Sequence, residues 1–212
     1  MLNLIAGLLR ADAGRLRWWG GDFATTGGTG RQLAMVFQSP TLMPWARIDR
    51  NVRLPLDLAA TPRVDADRDV AAALARVGLS DAADLLPREL SGGMQMRASI
   101  ARALVTAPNL LLMDEPFGAL DEFTRQRLDQ ELLSLWTAQG LTIVFVTHSI
   151  VEAVFLSTRV AVMAARPGRI IADVAIDEPY PRTDAYRLTP AFAARCLQLS
   201  NLVADAHAGA PA

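Results

Sequence analysis

Apolar residues along the chain fall into short continuous runs that are separated by amphipathic stretches. Runs 32–38, 110–115 and 142–148 read QLAMVFQ, LLLMDE and TIVFVTH, and each is apolar almost throughout. Continuous runs of this length predict strands that are buried on both faces, and the helical stretches between them predict a parallel sheet covered by helices. The pattern therefore predicts an α/β fold.

The rest of the pattern predicts the elements around that sheet. The opening MLNLIAGLL carries apolar residues at helical spacing, which predicts an amphipathic helix that already includes Met1 and continues to Leu9. The Ala/Gly/Pro tail from about Ala204 is expected to be disordered. The other predicted elements are a glycine-rich hairpin (14–31), helices (48–86, 92–105, 121–138 and 190–205) and two strands around a Pro-Gly turn (159–176).

Composition limits the classes of protein that the sequence can encode. The 212 residues suffice for one sizeable core, and a net charge of -1 gives no electrostatic reason to expect a nucleic acid or an anionic membrane as a partner. A single cysteine, Cys196, excludes an internal disulfide. Every basic residue is an arginine, because the sequence contains no lysine.

Polar side chains stand at the ends of the three predicted strands. Asp114 and Glu115 end LLLMDE, His148 ends TIVFVTH and Gln38 ends QLAMVFQ. In open parallel sheets, ligands bind outside the carboxyl ends of the strands. One carboxylate there can hold a hydrated Mg²⁺ while the other accepts a proton from water, and a histidine can donate to a phosphoryl oxygen.

A second candidate site is the sequence LSGGM, which precedes a predicted helix. Ser91, Gly92 and Gly93 would present backbone N–H groups to an anion at the positive end of the helix dipole. A serine-capped helix after a glycine turn explains Ser91 equally well, but it does not explain why two glycines are needed.

These segments, in this order, resemble the ATP-binding subunits of ABC transporters. LSGGM resembles the signature motif, LLLMDEP the Walker B strand, GALD the D-loop, His148 the switch histidine and Gln38 the Q-loop glutamine. The resemblance implies a P-loop NTPase fold, truncated at its N-terminus, with a mostly parallel sheet and an inserted helical subdomain. LMPWARIDRNVRLPL and FGALDEFTR resemble the branch that serves importers of nitrate, sulfonates and taurine.

The resemblance also implies roles for single residues, with ATP and Mg²⁺ as cofactors. Asp114 and Gln38 would act on Mg²⁺, Glu115 would be the catalytic base and His148 would contact the γ-phosphate. The nucleotide of the opposite subunit would be contacted by the signature residues and by the aspartate of GALD: Ser91, Gly92, Gly93 and Asp121.

Partners and domain organisation follow from the same resemblance. Residues 1–212 would form one partial ATP-binding domain, which pairs head to tail with a second ATP-binding subunit at the cytoplasmic face of a membrane. Pro44 and Trp45 would dock on membrane-spanning permease subunits, a solute-binding protein would act indirectly, and nucleic acid is not an expected partner. The domain would consist of an N-terminal core remainder, a helical signature subdomain, the Walker B and switch core, and a C-terminal strand pair with a helix (1–45, 46–105, 106–165 and 166–212).

The motif G-x-x-x-x-G-K-[ST], which holds phosphates in such proteins, is absent. GGTGRQ (27–32) precedes a strand and offers an arginine, which does not replace a compact ammonium. We expect that a strand, this loop and an adenine-stacking aromatic residue are encoded upstream of Met1. The alternatives are a non-catalytic partner that lends LSGGM to a complete ATPase, and a decayed remnant.

Overall fold

A computed structural model describes residues 1–18, 21–22, 32–165 and 168–208. The chain divides into two compact units. The first contains Met1–Leu128 and Ala138–Val146, and the second contains Asp129–Thr137 and Thr147–Ala212.

The first unit is built on a parallel sheet of three strands in the order β3-β4-β5, which confirms the predicted arrangement. The strands are β3 (Leu33–Val36), β4 (Leu110–Asp114) and β5 (Thr142–Val146). The central strand β4 is buried from Leu110 to Met113, whereas the apolar residues of β5 are only half-buried. Within the described ranges, β5 pairs with β4 alone.

Helix α1 (Leu2–Ile5) covers part of this sheet. Its Leu2 is buried together with Leu110 and Leu112 of β4. The short strands β1 (Arg17–Trp18) and β2 (Gly21–Asp22) pair in antiparallel fashion, within the region where the sequence predicts a hairpin. The predicted loop 27–31 and Trp19 lie outside the described residues.

The prediction that the first helix includes Met1 and continues to Leu9 was wrong. Met1 is the N-cap, and the helix ends because Gly7 takes a left-handed backbone with a φ of 73°. The amides of Leu8 and Leu9 fold back to the carbonyl oxygen of Asn3 at 2.9 and 3.1 Å, as at many glycine-terminated helices. Leu8 and Leu9 are consequently exposed.

Between β3 and β4 the chain forms three helices, and another connects β4 to β5. They are α2 (Ile48–Leu58), α3 (Arg63–Arg76), α4 (Gly92–Leu104) and α5 (Glu122–Gln139). Helix α2 packs against both α3 and α4. Met96 of α4 is almost completely buried, so this apolar residue within the glycine motif serves packing.

The second unit consists of α6 (Ile150–Leu156), the antiparallel pair β6 (Arg159–Ala165) and β7 (Gly168–Ala175), α7 (Asp184–Arg187) and α8 (Pro190–Ala208). Its core is a cluster of seven buried side chains: Leu133, Val154, Phe155, Val162, Tyr186, Phe192 and Leu199.

Helix α8 continues to Ala208, so the expectation of disorder from about Ala204 was wrong for the residues up to that point. A helix whose apolar face packs on a core can extend through a stretch of alanines because alanine has the highest helix propensity. In the described part of the chain, no helix combines the length and apolarity needed to cross a bilayer.

Candidate functional site

The candidate site begins where β3 and β4 end, at the carboxyl edge of the sheet. Gln38 follows β3 by two residues, and Glu115 directly follows β4. Both side chains approach Gly118. A Cβ atom on this glycine would lie 3.5 Å from Nε2 of Gln38 and 3.7 Å from Oε2 of Glu115. The missing side chain therefore leaves space between an amide and a carboxylate.

The backbone of Glu115 is strained. Its φ is 44°, in the left-handed region that residues with a Cβ adopt at a cost. Hydrogen bonds hold it there: its N–H donates to the carbonyl oxygen of Val146 at 2.9 Å, and its own carbonyl oxygen accepts from Gly118 at 3.1 Å. Strain of this kind persists where the surrounding structure fixes the backbone, and functional sites are a common location.

The second glycine of LSGGM, Gly93, has a packing role that the sequence did not reveal. A Cβ on Gly93 would lie 2.7 Å from Cγ2 of Thr124, which is closer than real Cβ atoms approach another carbon. A Cβ on Gly92 would meet Cδ2 of Leu120 at 3.4 Å. The start of α4 therefore lies directly against the segment that leads into α5.

Ser91 caps α4, because its Oγ accepts from the N–H of Met94 at 3.3 Å. Asp121 caps α5 in the same way, since its Oδ1 accepts from the N–H of Thr124 at 3.0 Å. Hydrogen bonds from Thr124, the backbone N–H first, lower the pKa of Asp121 below its ordinary value.

A pocket of about 140 Å³ lies beside these two helix starts. It is lined by residues of α4 and α5 together with Ser91: Ser91, Gly93, Met94, Arg97, Phe123, Thr124, Arg127 and Leu128. Ser91 and two arginines give it a polar, cationic lining, whereas Phe123 at its rim is 81% exposed. The structure thus brings the glycine motif and the GALD segment to one side of the first unit.

His148 belongs to the second unit and is exposed in the turn that leads into α6. The N–H of Ser149 donates to Oγ1 of Thr147 at 2.9 Å, and the Thr147 hydroxyl donates to Oε2 of the buried Glu152. The Ser149 hydroxyl oxygen accepts from the Glu152 N–H at 3.3 Å and caps the helix. Both neighbours of His148 are therefore fixed by hydrogen bonds.

Residues 1–118 match the sequence profile of the ABC transporter family. The chain belongs to the ABC transporter family. A protein of Brucella abortus is 47% identical over 193 residues, which cover 91% of this chain and 73% of that protein.

Two further relatives are named as taurine import ATP-binding proteins. The protein from Rhizobium johnstonii is 44% identical over 84% of this chain and 66% of its own length. The protein from Roseobacter denitrificans is 38% identical over 97% of this chain and 77% of its own length. The solved structure of cbiO1 from Clostridium perfringens, part of the ABC transporter complex cbiONQ, matches with a TM-score of 0.74 and 26% identity, covering 82% of this chain and 70% of that one.

Proteins of the ABC transporter family bind ATP together with Mg²⁺, and the donors at the sheet edge fit this metal. Asp114 is the last residue of β4, and Gln38 follows β3, so both lie at this edge of the sheet. Their side chains carry carboxylate and amide oxygens, the type of ligand that Mg²⁺ prefers. Among the described residues, no group of three or more His, Cys, Asp and Glu side chains could hold a metal ion by itself.

Three residues with structural roles near the family's motifs were missed by the sequence reasoning. Glu152 contacts the turn at His148, while Arg102 and Asn51 hydrogen-bond the loop that follows Gln38. A sequence signal existed for one of them, because Arg102 is a charge within the apolar stretch ASIARALV. Asn51 stands in the polar stretch IDRNVR, so its complete burial is visible only in the structure.

Proposed function

We propose that this chain is the ATP-binding and ATP-hydrolysing subunit of an importer for a small anionic solute of the nitrate, sulfonate or taurine type. The observation that carries the proposal is the space at Gly118, with the amide of Gln38 on one side and the carboxylate of Glu115 on the other. An acceptor for the proton of water and an amide able to touch metal or water are thereby brought together at the carboxyl edge of a parallel sheet. The taurine import proteins among the relatives support the solute class.

Each motif residue has a role in this proposal. Asp114 and Gln38 bind Mg²⁺, which neutralises phosphate charge when it is bound. Glu115 accepts a proton from the attacking water, and the strained backbone of Glu115 fixes where its carboxylate stands. His148 donates a hydrogen bond to the γ-phosphate, in an orientation fixed by its neighbours Thr147 and Ser149.

The start of α4 acts on a nucleotide that is held mainly by a second ATP-binding subunit. The backbone N–H groups at Gly92 and Gly93 and the hydroxyl of Ser91 contact its γ-phosphate, where the helix dipole favours negative charge. Asp121 acts at the same interface. The two subunits are arranged head to tail, so that each completes the site of the other.

The helical segment 46–105 faces the membrane-spanning subunits, with Pro44 and Trp45 at the docking surface. Trp45 is 79% exposed, and a large aromatic side chain in this position is a typical anchor for a partner protein. The chain is peripheral at the cytoplasmic face of the membrane, and a solute-binding protein delivers the solute to the membrane subunits.

The 212 residues contain no lysine to hold the β- and γ-phosphates. The first candidate is therefore a subunit whose phosphate-binding loop is encoded upstream of Met1. The second is a non-catalytic partner that lends Ser91 and its glycines to a complete ATPase. Gln38 and Glu115 favour the first, because a purely lending subunit has little use for a metal ligand and a base.

The first candidate is tested by nucleotide binding and hydrolysis. The 212-residue chain and a chain extended by the upstream in-frame codons are titrated with MgATP, and ATP hydrolysis is then measured. We expect weak or no binding by the 212 residues, tight binding and hydrolysis by the extended chain, and binding without hydrolysis by the extended E115Q variant. A stop codon directly before Met1, or tight binding by the 212 residues, contradicts the first candidate.

The second candidate requires one further measurement. It predicts that the 212-residue chain raises the ATPase activity of a relative that carries a P-loop, and that the variant S91A does so less. No stimulation in this mixture counts against the second candidate.

A further inference from the structure

The loop that follows Gln38, residues 39–47, has no regular secondary structure, and several of its backbone groups hydrogen-bond to side chains outside the loop. Thr41 in this loop has a φ of 49°, a left-handed backbone that requires support from its surroundings. Two side chains from outside the loop supply that support, and both come from the helical segment.

The first is Arg102, near the end of α4. Its Nη1 donates to the carbonyl oxygen of Thr41 at 2.9 Å, and its Nη2 donates to the carbonyl oxygen of Pro40 at 2.9 Å and to Oγ1 of Thr41 at 2.8 Å. The planar guanidinium makes these bonds from two nitrogens held at a fixed separation, which the single nitrogen of a lysine does not reproduce. Thr41 and Pro40 lie 61 and 62 positions before Arg102 in the sequence.

The second is Asn51 of α2, which is completely buried. Its Oδ1 accepts from the N–H of Met43 at 2.7 Å. Its Nδ2 donates to the carbonyl oxygens of Ala46 at 2.9 Å, Arg47 at 3.1 Å and Met43 at 3.2 Å. Because α2 packs against α4, the loop from Pro40 onward is fastened to a single block of helices.

We propose that Arg102 is a positioning residue that makes the loop 40–47 move as one body with α4. The part of this inference that concerns ATP rests on the proposed function, in which Gln38 and Ser91 both act on nucleotide. Arg102 lies eleven residues from Ser91, or roughly 16 Å along a helix. When the start of α4 moves, the three hydrogen bonds of Arg102 therefore move Pro40 and Thr41, which lie next to Gln38 in the chain.

The test uses the 212-residue chain labelled with 5-fluorotryptophan and with methyl-¹³C methionine. Trp45 and Met43 report on the loop, and Met94 reports on the start of α4. The variants are R102A, R102K and the matched control R97A, whose arginine lies in the same helix but donates to the carbonyl oxygen of Val77 at 3.2 Å. T41A, which removes one of the three bonds from the loop side, serves as the second variant if R102A fails to fold.

We expect amide hydrogen exchange over residues 40–47 to accelerate about tenfold in R102A and less in R102K and T41A. The Met43 and Trp45 resonances should change in the same order, with R97A like the unmodified chain. Equal exchange in R102A and R97A overturns the proposal; if R102A does not fold, loop exchange in T41A and R102K no faster than in R97A overturns it.

Transmission is tested by P44G, which alters the loop at a distance from α4. The Met94 resonance should shift when P44G is introduced beside Arg102 and should not shift when it is introduced into R102K. An unmoved Met94 resonance in the first case overturns the claim of transmission. None of these measurements requires nucleotide, so a failure to bind ATP counts against the proposed function alone.

Discussion

Gln38 and Glu115 flank the same glycine: Nε2 of one and Oε2 of the other both lie within 4 Å of the point where Gly118 would carry a Cβ atom. The two residues end different strands and are far apart in the sequence. Gly118 therefore lies where an amide and a carboxylate from two different strand ends approach each other.

Gly118→Ala should therefore impair hydrolysis more than folding. The added methyl group makes ordinary contacts of 3.4 to 3.7 Å, but it occupies the space between the amide and the carboxylate. We expect the extended chain to lose about a hundredfold in kcat, since small displacements of reacting groups have effects of this size. The control is G168A, because a Cβ on Gly168 meets no atom within 4 Å. Equal activity of both variants would contradict the role of this space.

Glu115→Gly should stabilise the 212-residue chain while it removes the base. Glycine adopts a φ of 44° without the penalty that a Cβ brings, so we expect a gain of about 1 kcal/mol in the free energy of unfolding. The variant E115Q keeps the Cβ and should unfold like the unmodified chain. Urea unfolding of both variants measures the strain, and identical midpoints would show that there is none.

Gly93→Ala decides between helix propensity and packing. Alanine in place of an interior helical glycine normally stabilises, but here its Cβ would lie 2.7 Å from Cγ2 of Thr124. We expect a net loss of about 1–2 kcal/mol in urea unfolding.

The variant T124S removes Cγ2, so G93A combined with T124S should recover most of this loss. Gly92→Ala, with its ordinary contact of 3.4 Å to Leu120, is the matched control and should be neutral or stabilising. No recovery in the double variant would exclude the contact with Thr124 as the cause.

The ion pair of Arg187 and Asp129 should contribute strongly to the stability of the second unit. Nη2 of Arg187 donates to Oδ2 of Asp129 at 2.6 Å, and the two side chains are 9% and 1% exposed. Arg187→Met should cost about 3 kcal/mol, because it leaves a buried carboxylate without its cation. Arg195→Ala removes a wide, more exposed pair with Asp177 and should change stability by less than about 1 kcal/mol. Urea unfolding measures both variants, and similar midpoints for R187M and R195A would contradict this prediction.

Cys196 should react slowly with thiol reagents. Burial raises the pKa of its thiol, with a smaller opposing effect of Arg187, so the folded chain holds less thiolate at a given pH than the unfolded chain does. The rate of alkylation by iodoacetamide should rise at higher pH in the folded chain than in urea. Superimposed profiles would contradict this prediction.

The sequence revealed the elements whose signals are local. Apolar runs predict β3, β4 and β5, and the polar residues at the ends of these runs include Gln38 and Glu115. The N-cap at Ser91 was visible in the same way. Each of these depends on residues that are close together along the chain.

What the sequence could not reveal depends on residues that meet only after folding. The contact of Gly93 with Thr124 and the hydrogen bonds of Arg102 to Thr41 join positions that are distant in the sequence. The early end of α1 is a different case: Gly7 is a local stop signal, but the apolar spacing of Leu8 and Leu9 predicts a helix that continues past it. The left-handed backbone at Glu115 has no sequence signal, because glutamate rarely adopts it.

Strand β5 has one consequence for handling the isolated protein. Its residues Thr142–Val146 are β-branched or aromatic. Thr142 is exposed, the four apolar residues are half-buried, and within the described ranges the strand is paired on one side only. An open strand edge of this composition, with no charge or proline to block it, is a template onto which another chain can add by main-chain hydrogen bonds. Self-association of the 212 residues at high concentration should therefore begin at β5, and the variant T142K, which places a charge at the exposed first residue of the strand, should raise the concentration at which the chain aggregates.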